Sequence, residues 1–380
     1  MPKSEKITIA FFLPSLESGG TERNVVNLVN KIDREKYAVS LVLGMAEGDF
    51  VKDINNDIPI ISLHTRRSIA TFFKLIAYFK KNQPDIFISA FPRVNVICIV
   101  AKIFSRSKTK IIITEHSVFS LLPIIAKTFW RGMFARFFMP SICNYVYQKA
   151  DAIICVSKGI ADDILKTVNR SLKIEIIYNP VVTDNIYQLA KEPISHPWFS
   201  DLKIPIIIAV GRLVKCKNYP HLFEAFNLVL KSHPAHLVIL GAGPKMKKLV
   251  DIAQKMDLSK NIAFLGFQKN PYKFMKRASV FVLSSLQEGF GNVIVEAMAC
   301  GAPVVSTNCP TGPGEIIENG KNGILVSVDD PQKLADAILK ILNDQNLAKK
   351  FSMEGQKRAE FFSIKRSVNE YEKTFQMLMN

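Results

Sequence analysis

The feature that most constrains this chain is a strand–helix alternation that runs along it twice, with one break. "KITIAFFLP" is a β-branched and aromatic run, followed by a glycine turn and the helical pattern "TERNVVNLVNKI". "YAVSLVLGM", the helix-like "IATFFKLIAYFKKN", "PDIFISAF", "TKIIITEHS", "ADAIICVSKGIADDILKTV" and "KIEIIYNPV" continue the series. Apolar strands separated by helices predict a parallel sheet covered on both faces. At residues 184–203, "DNIYQLAKEPISHPWFSDLK", two prolines break the rhythm and predict a linker. Alternation restarts at "IPIIIAVGRL" and continues through "YPHLFEAFNLVLKSH", "AHLVILGAGP", "ASVFVLSS" and "GNVIVEAMACG" to "PQKLADAILKILN". A chain of 380 residues exceeds one ordinary core. The expected class is therefore α/β, two doubly wound Rossmann-like domains facing across a cleft. Residues 1–184 form the first, residues 185–364 the second, and residues 365–380 a C-terminal helix returning to the first. Ligands in such sheets bind beyond the carboxyl ends of the strands, so those loops and the cleft are the expected site.

The formal charge of +17 predicts anionic partners: nucleic acid, phosphorylated metabolites or an acidic membrane surface. Zinc-ligand spacings and RNA-binding signatures are missing, so nucleic acid is not expected. The six cysteines form no CxxC pair and sit mostly in apolar runs, as buried reduced thiols of a cytosolic protein would. "MPKSEKITIAFFLPSLESGG" lacks a signal-peptide core, and no uncharged apolar run reaches membrane-spanning length. The expected location is the cytoplasm or the cytoplasmic face of a membrane. "SIATFFKLIAYFKK" and "VFSLLPIIAKTFWRGMFARFFMPSICNYVY" mix large aromatics with Lys and Arg. They read either as helices packed within the domain or as a basic, aromatic surface that sits on anionic lipid.

Four motifs carry chemistry. "SLESGGTERNVV" puts Gly19 and Gly20 at a strand-to-helix turn, where backbone N–H groups can meet an anion or simply make a tight turn. Neither GxGxxG nor a P-loop occurs. "IIITEHSVFS" places His116 just past a strand, as a structural hydrogen-bonding group or a ligand contact. No histidine pair has metal spacing. "AVGRLVKCKNYP" gathers Arg212, Lys215 and Lys217 in one short loop, either a solvated basic loop or a diphosphate site with Arg as a fork and Lys as a point charge. "SSLQEGFGNVIVEAMACGAPVVST" sets Glu288 at a strand's carboxyl end and Glu296 inside the following helix. The backbone N–H groups of Phe290, Gly291, Asn292 and Val293 form that helix's N-terminus, an anion site. Asn292 and Glu296 share one face, with Glu296 about 6 Å below along the axis, a distance that suits a ribose attached to the diphosphate.

The E-x7-E spacing in "EGFGNVIVEAMACGAPVV", with "VGRLVKCKN" and "SGGTERNV" upstream and "EIIENGKNGILV" downstream, resembles the family 4 retaining glycosyltransferases of the GT-B fold over essentially the whole chain. The resemblance implies that Arg212 and Lys217 hold the donor diphosphate and stabilise the leaving nucleotide. It implies that Gly20, beside Gly19, offers its amide to phosphate, and that Glu288 meets donor-sugar hydroxyls beside Phe290, Gly291 and Asn292. Glu296 would bind the ribose and His116 the sugar's hydroxymethyl group near the reacting centre; Glu115 has no assigned role. It further implies no metal and no cofactor, the nucleotide sugar being a substrate. The donor is expected to be a UDP-sugar carrying a hexose or N-acetylhexosamine, and the acceptor a glycan or a polyprenyl-diphosphate-linked sugar. A sugar-nucleotide 2-epimerase and a non-catalytic sugar-nucleotide-binding module are the rival readings.

Overall fold

The structure, a computed structural model, describes residues 6–17, 19–121, 138–200 and 203–380. Contacts divide the chain into two compact units, Met1–Pro180 with Ile364–Asn380, and Val181–Ser363.

The first unit is built on seven strands, β1 (Ile7–Leu13), β2 (Tyr37–Leu43), β3 (Ile60–Ser62), β4 (Ile86–Ala90), β5 (Lys110–Glu115), β6 (Ala152–Cys155) and β7 (Ile174–Ile176). They pair in the order β3-β2-β1-β4-β5-β6-β7, every pair parallel. Every residue of β4 is buried, which is why "IFISA" is apolar without alternation. Helices α1 (Gly20–Lys31), α2 (Ser68–Asn82), α3 (Pro92–Ser105), α4 (Met139–Tyr147) and α5 (Lys158–Thr167) lie between the strands in sequence. The chain moves outward from β1 to β3 and then returns to pair β4 with β1. The carboxyl ends of β1 and β4 therefore form a topological switch point.

The second unit repeats the plan with β8 (Ile206–Val210), β9 (His236–Leu240), β10 (Ile262–Phe264), β11 (Val280–Leu283), β12 (Val304–Thr307) and β13 (Ile324–Val326). Their order is β10-β9-β8-β11-β12-β13, again all parallel, with the switch point between β8 and β11. Helices α6 (Tyr219–Leu230), α7 (Met246–Lys255), α8 (Asn292–Ala299), α9 (Pro331–Asn343) and α10 (Gln345–Glu360) follow in chain order. Each unit has its own apolar core.

The last helix, α11 (Ile364–Met379), belongs to the first unit. Its buried stripe Ile364, Val368, Tyr371 and Phe375 has helical spacing and joins the first core, with Phe375 edge-on to Tyr37 at 5.6 Å. Thr374 Oγ1 donates to Glu175 at 2.7 Å, and Glu372 accepts from the Asp33 N–H at 3.0 Å.

The segment at 184–203 is not a free linker. Its described residues form single helical turns at Ile186–Leu189 and Pro197–Ser200, and Pro197 opens its turn. Phe199 is buried against Phe274 at 5.4 Å, and Asn270 Nδ2 donates to the Leu189 carbonyl at 2.9 Å. Pro197 starts local helix while Ile186, Ala190 and Phe199 supply burial, so the segment packs within the second unit. Helices α3 and α10 and the three-residue β3 were also not expected from the sequence; α3, "PRVNVICIVAKIFS", is apolar on most sides and gives no clear period. Among the described residues no helix is long and apolar enough to cross a membrane.

Candidate active site

In the second unit the switch point brings two loops together. One follows β8 and carries Arg212 and Lys217; the other follows β11 and carries Glu288. Lys217 lies in a 3₁₀ turn, Lys215–Lys217, ended by Asn218 in the left-handed region at φ 50°. Its Nζ donates to Glu288 Oε1 at 2.5 Å, and Ser285 Oγ donates to the same oxygen at 2.6 Å. Backbone ties hold the loops in register: Leu286 N–H donates to the Cys216 carbonyl at 2.8 Å, and Ser284 Oγ to the Lys217 carbonyl at 2.9 Å. Side-chain exposures of 16% for Lys217 and 12% for Glu288 make this a largely desolvated ion pair. Arg212 is exposed on the same loop and enters no ion pair among the described residues.

The turn after Glu288 is braced from the next loop. Thr311 donates its hydroxyl to the Glu288 main-chain carbonyl. Gly312 has φ +91°, and a Cβ there would fall 2.1 Å from the Phe290 carbonyl oxygen, so only glycine lets the two loops close. Phe290 is buried against Phe362 at 5.3 Å, and Gly291 at φ +102° opens α8. Asn292 and Glu296 lie on α8, both half-buried. Of the expected residues in this unit, Lys217 and Glu288 are in direct contact; Arg212, Asn292, Val293 and Glu296 occupy the flanking loop and helix. The sequence reading missed Ser285, Thr311 and Gly312. The "SS" that closes "VFVLSS" was the available signal, since hydroxyls at a strand's carboxyl end collect polar contacts.

In the first unit Gly19 caps α1 and Gly20 is its first residue. The space a Gly19 Cβ would need is taken by the Glu22 carboxylate, a flexible group able to move aside. His116 follows β5, half-buried, with Nε2 3.0 Å from Thr114 Oγ1. With Asn24, Ser89, Thr114 and Asn179 it lines a cavity of 20 Å³, room for one water. Desolvation lowers its pKa to about 4, so the imidazole is neutral at neutral pH.

Beside it Glu115 is fully buried. Its Oε1 accepts from Asn95 Nδ2 at 2.7 Å and from the Tyr147 hydroxyl, while Oε2 has no hydrogen-bond partner among the described residues. Burial raises its pKa from 4.5 to about 7, against the lowering effect of Tyr147 and Asn95. Glu115 thus holds its proton more tightly folded than unfolded. Its contribution to stability is full below pH 4.5 and is lost as the pH rises to 7. That gap corresponds to about 3 kcal/mol. His116, with its lowered pKa, has the opposite slope between pH 6.5 and 4, so the two partly cancel in the native protein. Denaturant melts of Glu115→Gln and the native chain at several pH values isolate the first. Relative to the native chain the variant should gain about 3 kcal/mol between pH 4.5 and 8, and a constant difference across that range contradicts the assignment.

Among the described residues, no group of three or more His, Cys, Asp or Glu could hold a metal ion.

Comparison with known proteins supplies the class. Residues 18–185 match the family model Glycosyltransferase Family 4, and residues 191–358 match Glycosyl transferases group 1. The N-acetylgalactosamine-N,N'-diacetylbacillosaminyl-diphospho-undecaprenol 4-alpha-N-acetylgalactosaminyltransferase of Campylobacter jejuni is 31% identical over 369 residues, covering 93% of this chain and 95% of that one. A second C. jejuni enzyme, GalNAc-alpha-(1->4)-GalNAc-alpha-(1->3)-diNAcBac-PP-undecaprenol alpha-1,4-N-acetyl-D-galactosaminyltransferase, is 27% identical over 98% of this chain and 99% of its own. Among solved structures, Anabaena HepE in complex with UDP-glucose superposes with a TM-score of 0.80 at 20% identity, over 97% of this chain and 99% of that one. Two doubly wound parallel-sheet units with these matches define a glycosyltransferase of the GT-B fold. The chain belongs to glycosyltransferase family 4.

Proposed function

We propose that the protein moves a hexose or N-acetylhexosamine from a UDP-sugar to a polyprenyl-diphosphate-linked glycan, with retention at the anomeric carbon, so that the new bond is alpha. The observation that carries the donor assignment is the Lys217–Glu288 pair at the β8/β11 switch point, with Arg212 beside it. Each of these two charges is the other's counter-ion. An incoming diphosphate supplies a stronger partner for Lys217 and for Arg212. Glu288 is thereby released to accept hydrogen bonds from the donor sugar, while Glu296 on α8 takes the ribose. The anomeric carbon–phosphate oxygen bond breaks as the bond to the acceptor oxygen forms, and the acceptor's proton passes to the departing phosphate. The protein supplies positioning and charge stabilisation. Protein cations neutralise the diphosphate, so no metal and no cofactor is needed. The acceptor and the alpha linkage rest on the two C. jejuni relatives, whose names specify alpha transfer to undecaprenol-diphosphate-linked sugars. The nucleotide rests on HepE, solved with UDP-glucose.

A screen of nucleotide sugars against a polyprenyl-diphosphate-linked acceptor in EDTA tests this reading. It should yield one added sugar by mass spectrometry and an alpha anomeric signal by NMR. Activity lost in EDTA and restored by Mn²⁺ or Mg²⁺ contradicts the metal-free mechanism; a beta product contradicts retention. Epimerisation of UDP-GlcNAc without any acceptor would place the chain with the epimerases instead.

A further inference from the structure

Helices α2 and α3 of the first unit carry an outward face that the donor site does not use. On α2, Ile69 is 75% and Phe73 63% exposed, one helical turn apart. At the end of α3, Ile103 is 48% and Phe104 65% exposed. Phe72 joins the two helices, with its ring 5.3 Å from Phe73 and 5.7 Å from Phe104, both edge-on, so these side chains form one aromatic patch. On α4, Tyr145 is 70% exposed, with the Lys149 ammonium 5.6 Å over its ring. A scattered exposed apolar residue is ordinary, whereas a joined patch rimmed by polar residues marks an interaction surface.

Charge decides what the surface fits. From residue 66 to residue 110 the chain holds ten Lys or Arg and a single acid, Asp85. Asp85 is occupied by the Thr8 N–H at 2.8 Å and the Thr8 hydroxyl at 2.7 Å. Lys74, Lys80 and Lys81 are exposed on α2, and Arg67, Arg106 and Lys108 are exposed at the helix ends. Arg66 pairs with Glu47 at 2.6 Å, and Lys102 and Lys110 with Asp151 at 4.0 and 3.2 Å, whereas the six exposed cations just named enter no ion pair among the described residues. Large apolar side chains amid those six match an anionic lipid interface: rings enter the acyl boundary while ammonium and guanidinium groups meet the headgroups. A protein partner, or a second copy of a chain this basic, would have to bring its own acidic surface.

We infer that the α2–α3 face docks the protein peripherally on an anionic bilayer. The inference goes beyond sugar transfer and does not depend on it. The rest of the aromatic-rich stretch expected to share this role, residues 122–137, lies outside the described residues.

Flotation of the purified full chain with vesicles tests it. The native chain should float with phosphatidylcholine containing a quarter phosphatidylglycerol and stay behind with phosphatidylcholine alone, and high salt should release it. Phe73→Glu/Phe104→Glu, and separately Lys80→Glu/Lys81→Glu, should each lower the bound fraction about tenfold or more. Both pairs have exposed side chains, so melting temperatures should hold, and UDP affinity should be unchanged. Loss of vesicle binding with UDP binding intact separates this surface from the donor site. Equal flotation of variant and native chains overturns the inference. So does failure of the native chain to float, or a dimer that Phe73→Glu dissolves while vesicles go unbound.

Discussion

Lys217→Ala is expected to lower transfer about 10²–10³-fold, the usual cost of removing a positioned charge stabiliser. Arg212→Ala should fall in the same range for the same reason. The two variants should differ in stability. Arg212 is exposed and enters no ion pair among the described residues, so its loss should leave the melting temperature unchanged within error. Lys217 neutralises Glu288 at 2.5 Å in a largely desolvated setting, and its loss strands a carboxylate. That should cost about 1–3 kcal/mol, below the range for fully buried pairs because both side chains keep some water. Adding Glu288→Gln removes the stranded charge. The double variant should recover most of the stability and none of the activity. Recovery of activity together with stability would reduce the pair to a structural one. Near-native turnover in both single alanine variants would end the diphosphate assignment.

The two carboxylates of the E-x7-E segment should fail in different ways. Glu288→Gln is expected to act mainly on kcat. Its carboxylate is to meet the transferred sugar, the group that changes shape and charge on the way to the transition state. It also loses the charge that holds Lys217 in place, while the Ser285 hydroxyl can still donate to an amide oxygen. Glu296→Gln is expected to act mainly on the donor KM, because a ribose is a remote handle held about equally throughout the reaction. Some of that remote binding positions the reacting atoms, so a smaller fall in kcat accompanies it. The informative quantity is the ratio of the two effects across the two variants, measured against the best donor. Equal, small effects from both substitutions would return Glu288 to a solvated turn and Glu296 to a polar helix position.

Much of this was legible in the sequence, for a physical reason. Buried parallel strands are apolar on both faces, so runs such as "IIIAV" and "VFVL" mark both the strands and the loops that follow them. Arg212, Lys217 and Glu288 could be picked out because they lie in those loops. Their pairing could not. Lys217 and Glu288 are 71 residues apart, and only the adjacency of β8 and β11 brings them into contact. The burial of Glu115 was not legible for a similar reason: Asn95 and Tyr147, which hydrogen-bond its carboxylate, stand 20 and 32 residues away on α3 and α4. A carboxylate at a strand end looks solvated until its cover is known. The proline-bearing segment at 184–203 misled because proline marks a helix's first turn as readily as a loop. The three-residue β3 is too short to show a period at all.

The proposed mechanism requires the donor's diphosphate and ribose to bind at the β8/β11 switch point on protein groups alone. Calorimetric titration of UDP in EDTA tests this most directly, using the native chain, Lys217→Ala and Glu296→Gln. The native chain should bind without metal, and the Kd should rise about tenfold or more in each variant, since removing one charge-assisted hydrogen bond costs roughly 1.5–3 kcal/mol. Equal affinity in all three proteins, or UDP binding that appears only when a divalent cation is added, would contradict it.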